Sequence, residues 1–219
     1  MTLIRGCLIC GFQVQEAFEF RSWGGARKGA GRKRGRKVPH VARPALKARH
    51  PVLVTLRMEK AVGNVRERSR FAIFKGVLGS KIREGFRCVH YSVMSNHVHM
   101  VVETTDEKLL TNAMRALQIK IAHRLNRMLG RKGRAFEDRF HSRALKNPRE
   151  TRHALAYTLL NRRKHGARIR GIDPCSSGHS FDGFKNQKQL EPPPFAPQTW
   201  LLNIGWKKWG LIDLSEIPG

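Results

Sequence analysis

The sequence predicts an α+β fold, a ferredoxin-like sandwich in which helices pack on one face of an antiparallel sheet. Segments with strand or helix periodicity follow one another in the order strand, helix, strand, strand, helix, strand, with one added helix. The middle two strands are separated only by Met94-Ser95-Asn96, which predicts a hairpin. Each of the other two connections between strands contains a helix. A short hairpin between the middle strands and a helix in each of the other two connections are typical of this sandwich.

The first strand is predicted near residues 52–57, where alternate residues are Val52, Val54 and Leu56. A helix over residues 66–83 follows, because apolar residues recur at helical spacing: Phe71, Phe74, Leu78 and Ile82. Asp106 is a good N-cap for a long helix that extends to about Leu129. Its apolar side consists of Leu110, Met114, Leu117, Ile121, Leu125 and Met128. A short strand is predicted over residues 142–146.

The hairpin is predicted over residues 86–93 and 97–104. A period of two puts four residues of its second strand on one face: His97, His99, Val101 and Glu103. Two imidazoles two residues apart can converge on one ion, although such a pair also occurs as satisfied polar packing. Glu103 is either a group that orients an imidazole or a solvated carboxylate at the strand end.

The last helix is predicted over residues 149–165, entered through Pro148 and ended by Gly166. Leu155 and Leu159 are four apart and predict its buried stripe, while Tyr157 and Asn161 are expected on roughly the opposite side. A strand with two imidazoles and a helix with a phenol and an amide together predict a site. His153 and His165 lie near the tyrosine side, where they either touch phosphate, replace a ligand or are simply exposed.

The charge of the chain predicts a nucleic-acid partner. Its 219 residues include 43 Lys and Arg against 16 Asp and Glu, a net charge of +27. So much like charge repels itself unless a polyanion neutralises it. No apolar run has the length of a membrane span, so a membrane partner is not expected. Four scattered cysteines predict free thiols and a cytoplasmic, nucleoid-associated protein.

Composition divides the chain into a poorly ordered extension (1–23), a basic Gly/Arg/Lys-rich arm (24–49), a folded domain (50–170) and a Pro/Gly-rich tail with a Trp cluster (171–219). The arm is either a DNA contact or a solubilising tail, and its uniform sign favours DNA. Its DNA-binding residues are predicted to be Arg27, Lys28, Arg32, Lys33, Arg34, Arg36 and Lys37. The tail either docks on the domain or stacks on bases.

Two motifs resemble a known family. His97-Val98-His99 matches the HUH motif (His, hydrophobic, His), and Tyr157 with Asn161 matches the tyrosine helix of single-tyrosine HUH transposases. The chain is similar to the REP-associated tyrosine transposases of bacteria from about residue 24 to 210. The matching segments also include residues 24–33, residues 50–57, residues 136–141, Ser176-Ser177 and Phe181-Asp182-Gly183.

This resemblance implies the same fold (the HUH endonuclease fold), with the histidine strand central and the tyrosine helix across the open face. It implies Tyr157 as the nucleophile and His97, His99 and Asn161 as ligands of Mg²⁺ or Mn²⁺, with zinc as a third candidate. The implied product is a 5′-phosphotyrosine on single-stranded DNA next to a hairpin. Arg139 and His141 are expected to face DNA or to be structural. The sequence leaves open whether the chain forms a homodimer.

Metal-dependent nicking and strand transfer, as in DNA transposition, is therefore the first hypothesis. A non-catalytic or domesticated DNA- or RNA-binding protein is the second, and it explains the charge but not the four candidate site residues. A rolling-circle replication initiator is the third, and it shares the paired histidines but matches the flanking segments less well.

Overall fold

Four strands form one antiparallel sheet in the order β2-β3-β1-β4. They are β1 (Val52–Arg57), β2 (Arg87–Val93), β3 (His97–Glu103) and β4 (His141–Ala144). The structure is a computed structural model, and it describes residues 44–164, 171–185 and 187–218. This strand order, with helices between β1 and β2 and between β3 and β4, confirms the predicted ferredoxin-like arrangement. The histidine strand β3 is central, between β2 and β1.

Helices α1 (Arg68–Leu78) and α2 (Glu107–Met128) pack on one face of the sheet. Between helices and sheet lie the alternate strand residues that the period of two predicted, including Val52, Val54 and Leu56 of β1 and Val98, Met100 and Val102 of β3. Asp106 caps α2 as predicted, since its carboxylate accepts a 2.7 Å hydrogen bond from the Leu109 amide. Helix α1 is shorter than predicted because the chain leaves the helix at Gly79.

Helix α3 (Pro148–Lys164) lies on the opposite face of the sheet, where it packs with Val89 and Val101. Its other side is covered by the part of the chain from 171 to 218, here called the C-terminal segment. This segment contains the short helix α4 (Trp200–Asn203) and a 3₁₀ turn over Gly205–Trp209. Trp206 is fully buried in a cluster with Leu155, Leu159 and Phe181. The C-terminal segment therefore docks on the domain, which was one of the two alternatives left by the sequence.

The close packing of two aromatic rings explains why residue 183 is a glycine. A Cβ atom at Gly183 would lie 2.2 Å from the indole of Trp206 and 2.5 Å from the ring of Phe181. No real side chain tolerates such contacts, so the indole can pack here only because residue 183 has no side chain.

Polar contacts also tie the C-terminal segment to the domain. Glu103, at the end of β3, is only 1% exposed, and its carboxylate accepts hydrogen bonds from the backbone amides of Gln198 and Thr199 at 2.7–3.1 Å. The guanidinium of Arg87 lies 3.0 Å from the same carboxylate. Both expectations for Glu103 are therefore wrong. It neither orients an imidazole nor lies in solvent, because its oxygens accept hydrogen bonds from the two residues that precede α4.

A second anchor lies at the edge strand β2. The Ser177 hydroxyl accepts a 2.8 Å hydrogen bond from the Tyr91 amide and lies 3.3 Å from Nδ1 of His90. The ring of His90 packs edge-on against Phe181, with centroids 5.2 Å apart. Burial lowers the pKa of His90 to about 4, and Asp182 only partly opposes this effect.

His90 makes stability depend on pH. Between its lowered folded pKa of about 4 and its ordinary value of 6.5, the unfolded chain binds a proton that the folded chain does not. Stability therefore falls as the pH falls through this window, by about 2 kcal/mol between neutral pH and pH 5 from this group alone. Urea denaturation at several pH values should show this slope, and His90→Gln should flatten it. An equally steep slope in the variant would contradict the assignment.

All described residues belong to one compact unit. In this part of the chain, helices are either too short or too polar to traverse a lipid bilayer. Cys88 and Cys175 are buried free thiols.

Candidate active site

The paired histidines lie on the face of β3 that is turned toward α3. His97 begins the strand directly after the turn, and His99 follows two residues later. Their ring centroids are 4.7 Å apart, and the ring planes are nearly perpendicular. His99 is buried, whereas His97 is partly exposed. The central position of β3 fixes the backbone that carries both rings, because the strand is hydrogen-bonded on both sides.

Each imidazole has an oxygen partner at Nδ1. Nδ1 of His97 lies 2.7 Å from the side-chain oxygen of Asn96. Nδ1 of His99 lies 2.9 Å from the hydroxyl of Thr55, its cross-strand neighbour on β1. An amide oxygen can only accept, so Nδ1 of His97 donates, and the lone pair of the neutral ring is at Nε2. Imidazoles that bind metals through Nε2 commonly have this kind of support on the other nitrogen.

The tyrosine of helix α3 lies next to these rings. The centroid of the Tyr157 ring is 4.9 Å from that of His99, and the two planes make an angle of 75°. Tyr157 is only partly buried, so its edge is accessible from solvent. The ammonium of Lys164 lies 5.1 Å from its ring centroid, within the range of a cation–π contact. The structure thus brings together two imidazoles, a phenol and a cation.

Asn161 lies one helical turn after Tyr157 and is 0% exposed. The sequence predicts Asn161 on roughly the opposite side of α3 from Leu155 and Leu159, but it does not predict that Asn161 is itself buried. Neither its amide oxygen nor its amide nitrogen has a hydrogen-bond partner among the described residues. A buried amide that makes no hydrogen bond costs about 1–3 kcal/mol. Such a cost is typical of a residue retained for binding.

The donor atoms of His97, His99 and Asn161 are of types that divalent cations bind. No group of three His, Cys, Asp or Glu side chains is placed to hold a metal within residues 44–164, 171–185 and 187–218. Among these residues, a third protein ligand for a cation at His97 and His99 would therefore be of another type. The amide oxygen of Asn161 has the right chemistry, since imidazole and carbonyl oxygen suit Mn²⁺ and Mg²⁺.

Thr55 is expected to tune this site through His99. Thr55→Val keeps the shape of the side chain but removes the hydroxyl, so the imidazole loses the hydrogen bond at Nδ1 that helps to orient it. Mn²⁺ affinity, measured by calorimetric titration of the protein alone, should fall about 10- to 100-fold. Thr158→Val is a matched control, because the buried Thr158 hydroxyl has no hydrogen-bond partner among the described residues. Equal affinities for both variants would show that Thr55 does not position the ligand.

A cavity of about 540 Å³ opens beside Tyr157 on the same face of the sheet. Its polar lining includes His141, Arg143, Arg149 and His153. The one carboxylate in the lining, Glu150, accepts 2.8 Å hydrogen bonds from Arg143 and from the backbone amide of Lys146. These bonds, led by the one from the Lys146 amide, lower the pKa of Glu150. The remaining positive charge suits a phosphodiester backbone.

Two of the other predicted residues line this cavity and one does not. His141 is exposed on β4, opposite Thr55, and lines the cavity, as does His153. Arg139 precedes β4 and is not part of the cavity lining; its backbone amide donates to Asp138. His165 lies outside the described residues. So do the predicted DNA-binding residues of the arm, namely Arg27, Lys28, Arg32, Lys33, Arg34, Arg36 and Lys37.

Sequence reasoning missed the contribution of β1 and the start of α3. Thr55 supports His99, Arg57 lies directly opposite His97 in the strand register, and Arg149 lines the cavity. A signal was present in β1, where Thr55 and Arg57 are the polar residues of an otherwise apolar strand and share one face. Their proximity to the histidines required the strand order, which local periodicity does not give.

The sequence matches no family model and no curated protein. A solved structure of a REP-associated tyrosine transposase bound to a REP hairpin is 16% identical, with a TM-score of 0.53; the match covers 74% of this chain and 93% of that one. A candidate transposase from Deinococcus radiodurans R1 is 15% identical, with a TM-score of 0.37 and coverage of 50% and 86%. The fold of this chain is therefore similar to that of a REP-associated tyrosine transposase, as the resemblance in the sequence implied.

Proposed function

We propose that the protein is a transposase that nicks single-stranded DNA and transfers the strand through a 5′-phosphotyrosine at Tyr157, with a divalent metal held by His97, His99 and Asn161. The observation that carries the proposal is the contact between rings. The ring centroid of Tyr157 is 4.9 Å from that of His99, and the centroid of His99 is 4.7 Å from that of His97. A phenol that lines an open cavity and packs on one of two paired histidines has little structural purpose. The similar REP-associated transposase is bound to a DNA hairpin, which supports DNA as the substrate.

In the proposed reaction, the phenolic oxygen of Tyr157 attacks the scissile phosphorus. The bond to the 3′ oxygen breaks, that oxygen leaves with a proton as a 3′-hydroxyl, and the 5′ side remains as a phosphotyrosine. A bound Mg²⁺ or Mn²⁺ would act as a Lewis acid on the phosphate. The phosphodiester energy is retained, so a 3′-hydroxyl from another strand end can attack the phosphotyrosine without ATP.

Each group of this chain then has a role. Thr55 and Asn96 hold the two imidazoles through Nδ1, so Nε2 is the ring nitrogen that would hold the metal. Arg143, Arg149 and Lys164 supply positive charge for the DNA backbone around Tyr157. The single tyrosine on α3 limits each chain to one covalent attachment at a time. The only other tyrosine, Tyr91, is buried in β2.

The test is formation of a covalent adduct. End-labelled single-stranded DNA with a hairpin is incubated with the protein and Mn²⁺, and the products are separated in denaturing gels. Wild-type protein is expected to give a denaturant-resistant band that chelation of the metal abolishes. Tyr157→Phe should give none, although its ring can still pack on His99. Tyr91→Phe, the matched control, should retain the band.

Two outcomes would overturn the proposal. An adduct that persists in Tyr157→Phe would assign the nucleophile elsewhere. Tight DNA binding by wild type with no adduct in Mg²⁺ or Mn²⁺ would leave the non-catalytic DNA-binding protein as the better hypothesis.

A further inference from the structure

The C-terminal segment presents two of its tryptophans to solvent. Trp206 is buried, whereas Trp200 and Trp209 remain 51% and 54% exposed, although the backbone around them is folded. Each exposed ring has a cation against it: Lys208 lies 5.3 Å from the Trp200 ring, and Arg149 lies 5.4 Å from the Trp209 ring. Exposed aromatic rings next to cations are the usual platform for unpaired bases.

Arg149 connects one of these rings to the candidate active site. Its side chain packs on Trp209, and the same residue lines the cavity that contains Tyr157. Eight residues separate Arg149 from Tyr157 along α3, which corresponds to about 12 Å of helix. That length is about the span of a few nucleotides of DNA strand. Lys208, the cation on Trp200, is not among the described residues that line this cavity.

The backbone next to Trp209 is held rigidly. The guanidinium of Arg152 on α3 donates hydrogen bonds of 3.0 Å to the carbonyl oxygens of Gly210 and Leu211. It also donates to the carboxylate of Glu216 at 2.7 and 3.1 Å. The position of Trp209 relative to the tyrosine helix is therefore fixed before DNA binds. Such preorganisation reduces the entropic cost of binding.

We propose that Trp209, together with Arg149, forms a stacking site for an unpaired DNA base a few nucleotides from the phosphate at Tyr157. The face of the indole takes the base, and Arg149 pairs with the adjacent phosphate. The site would be tolerant of sequence, because every base has a stacking face. This inference deepens the proposed function and depends on DNA occupying the cavity, but it does not depend on cleavage.

The test measures binding without chemistry. A fluorescent DNA hairpin with thymidine extensions of about ten nucleotides is titrated with Tyr157→Phe protein in the absence of metal. A second substitution in this protein, Trp209→Ala, should weaken DNA binding about 5- to 150-fold, whereas Trp209→Phe should retain most of the affinity. Trp200→Ala is the matched control and should have little effect. Single abasic positions are then moved along the extensions, and one of them should weaken binding only when Trp209 is present.

Other results would reject the site. Equal losses for Trp200→Ala and Trp209→Ala would indicate a general basic surface. An abasic scan without a sensitive position, or with one that survives in Trp209→Ala, would show that Trp209 does not stack on a base, even if wild-type protein forms the adduct. A position-specific effect in a protein that never forms the adduct would instead support the stacking site and reject the proposed chemistry.

Discussion

Replacing Asn161 with leucine is expected to remove activity while increasing stability. The amide is fully buried, and neither of its polar atoms has a hydrogen-bond partner in the described part of the chain. Leucine has a similar size and no polar group, so the free energy of unfolding should rise by about 1–3 kcal/mol. If the amide oxygen is a metal ligand, the rate of adduct formation should fall at least about 100-fold at limiting Mn²⁺. Urea denaturation and the gel assay measure the two effects.

Two further variants make this prediction specific. Thr158→Val removes a buried hydroxyl of the same helix that also has no hydrogen-bond partner among the described residues, and it should raise stability without loss of activity. Asn161→Asp keeps an oxygen at the ligand position, so Mn²⁺ should stabilise this variant against urea more strongly than it stabilises wild type. A fully active Asn161→Leu protein would remove Asn161 from the ligand set.

Of the substitutions considered, Asp173→Ala should cause the largest loss in the free energy of unfolding. The Asp173 carboxylate accepts hydrogen bonds of 2.5 and 2.9 Å from the guanidinium of Arg66, and the two side chains are only 4% and 11% exposed. Without the carboxylate, Arg66 becomes a buried charge with no counterion, which costs about 3–5 kcal/mol. Since Arg66 also donates to the carbonyl of Val93, the loss would extend to the hairpin that leads to His97. Urea denaturation near pH 7 measures it.

The matched control is an exposed ion pair. Lys81 and Glu84 form a salt bridge in solvent, with side chains 67% and 89% exposed. Lys81→Ala should therefore change stability by less than about 0.5 kcal/mol. Replacing both members of the buried pair, as in Arg66→Met with Asp173→Leu, should recover most of the loss. A small effect of Asp173→Ala would mean that water reaches Arg66 readily.

The fold could be predicted from sequence because its signals are local. Strand alternation, helical spacing and the Asp106 cap each act within one element, and the short turn before His97 forces the hairpin. The same local patterns placed His97 and His99 on one strand face and Tyr157 with Asn161 on one helix. Ring distances between strand and helix then follow from the packing of α3 on the sheet.

What sequence could not give depends on contacts between distant parts of the chain. Glu103 accepts hydrogen bonds from the backbone amides of Gln198 and Thr199, which are 95 and 96 positions later in the sequence. The strand pattern around Glu103 therefore carried no sign of that role. The full burial of Asn161 likewise could not be predicted, because it depends on how α3 packs in the folded domain. Trp206 could not be distinguished from Trp209 by composition, although one is buried and the other exposed.

The burial of helix α3 on two sides has a consequence for how DNA ends could be exchanged. With the sheet beneath it and Trp206 above it, this helix cannot swing away without exposing a large apolar surface to water. If Tyr157 is the nucleophile, as proposed, we expect the attached 5′ end to stay where it was cut while the incoming strand travels to it. Amide hydrogen exchange of residues 154–161 should accordingly remain slow, and equally slow, before and after a DNA strand is attached.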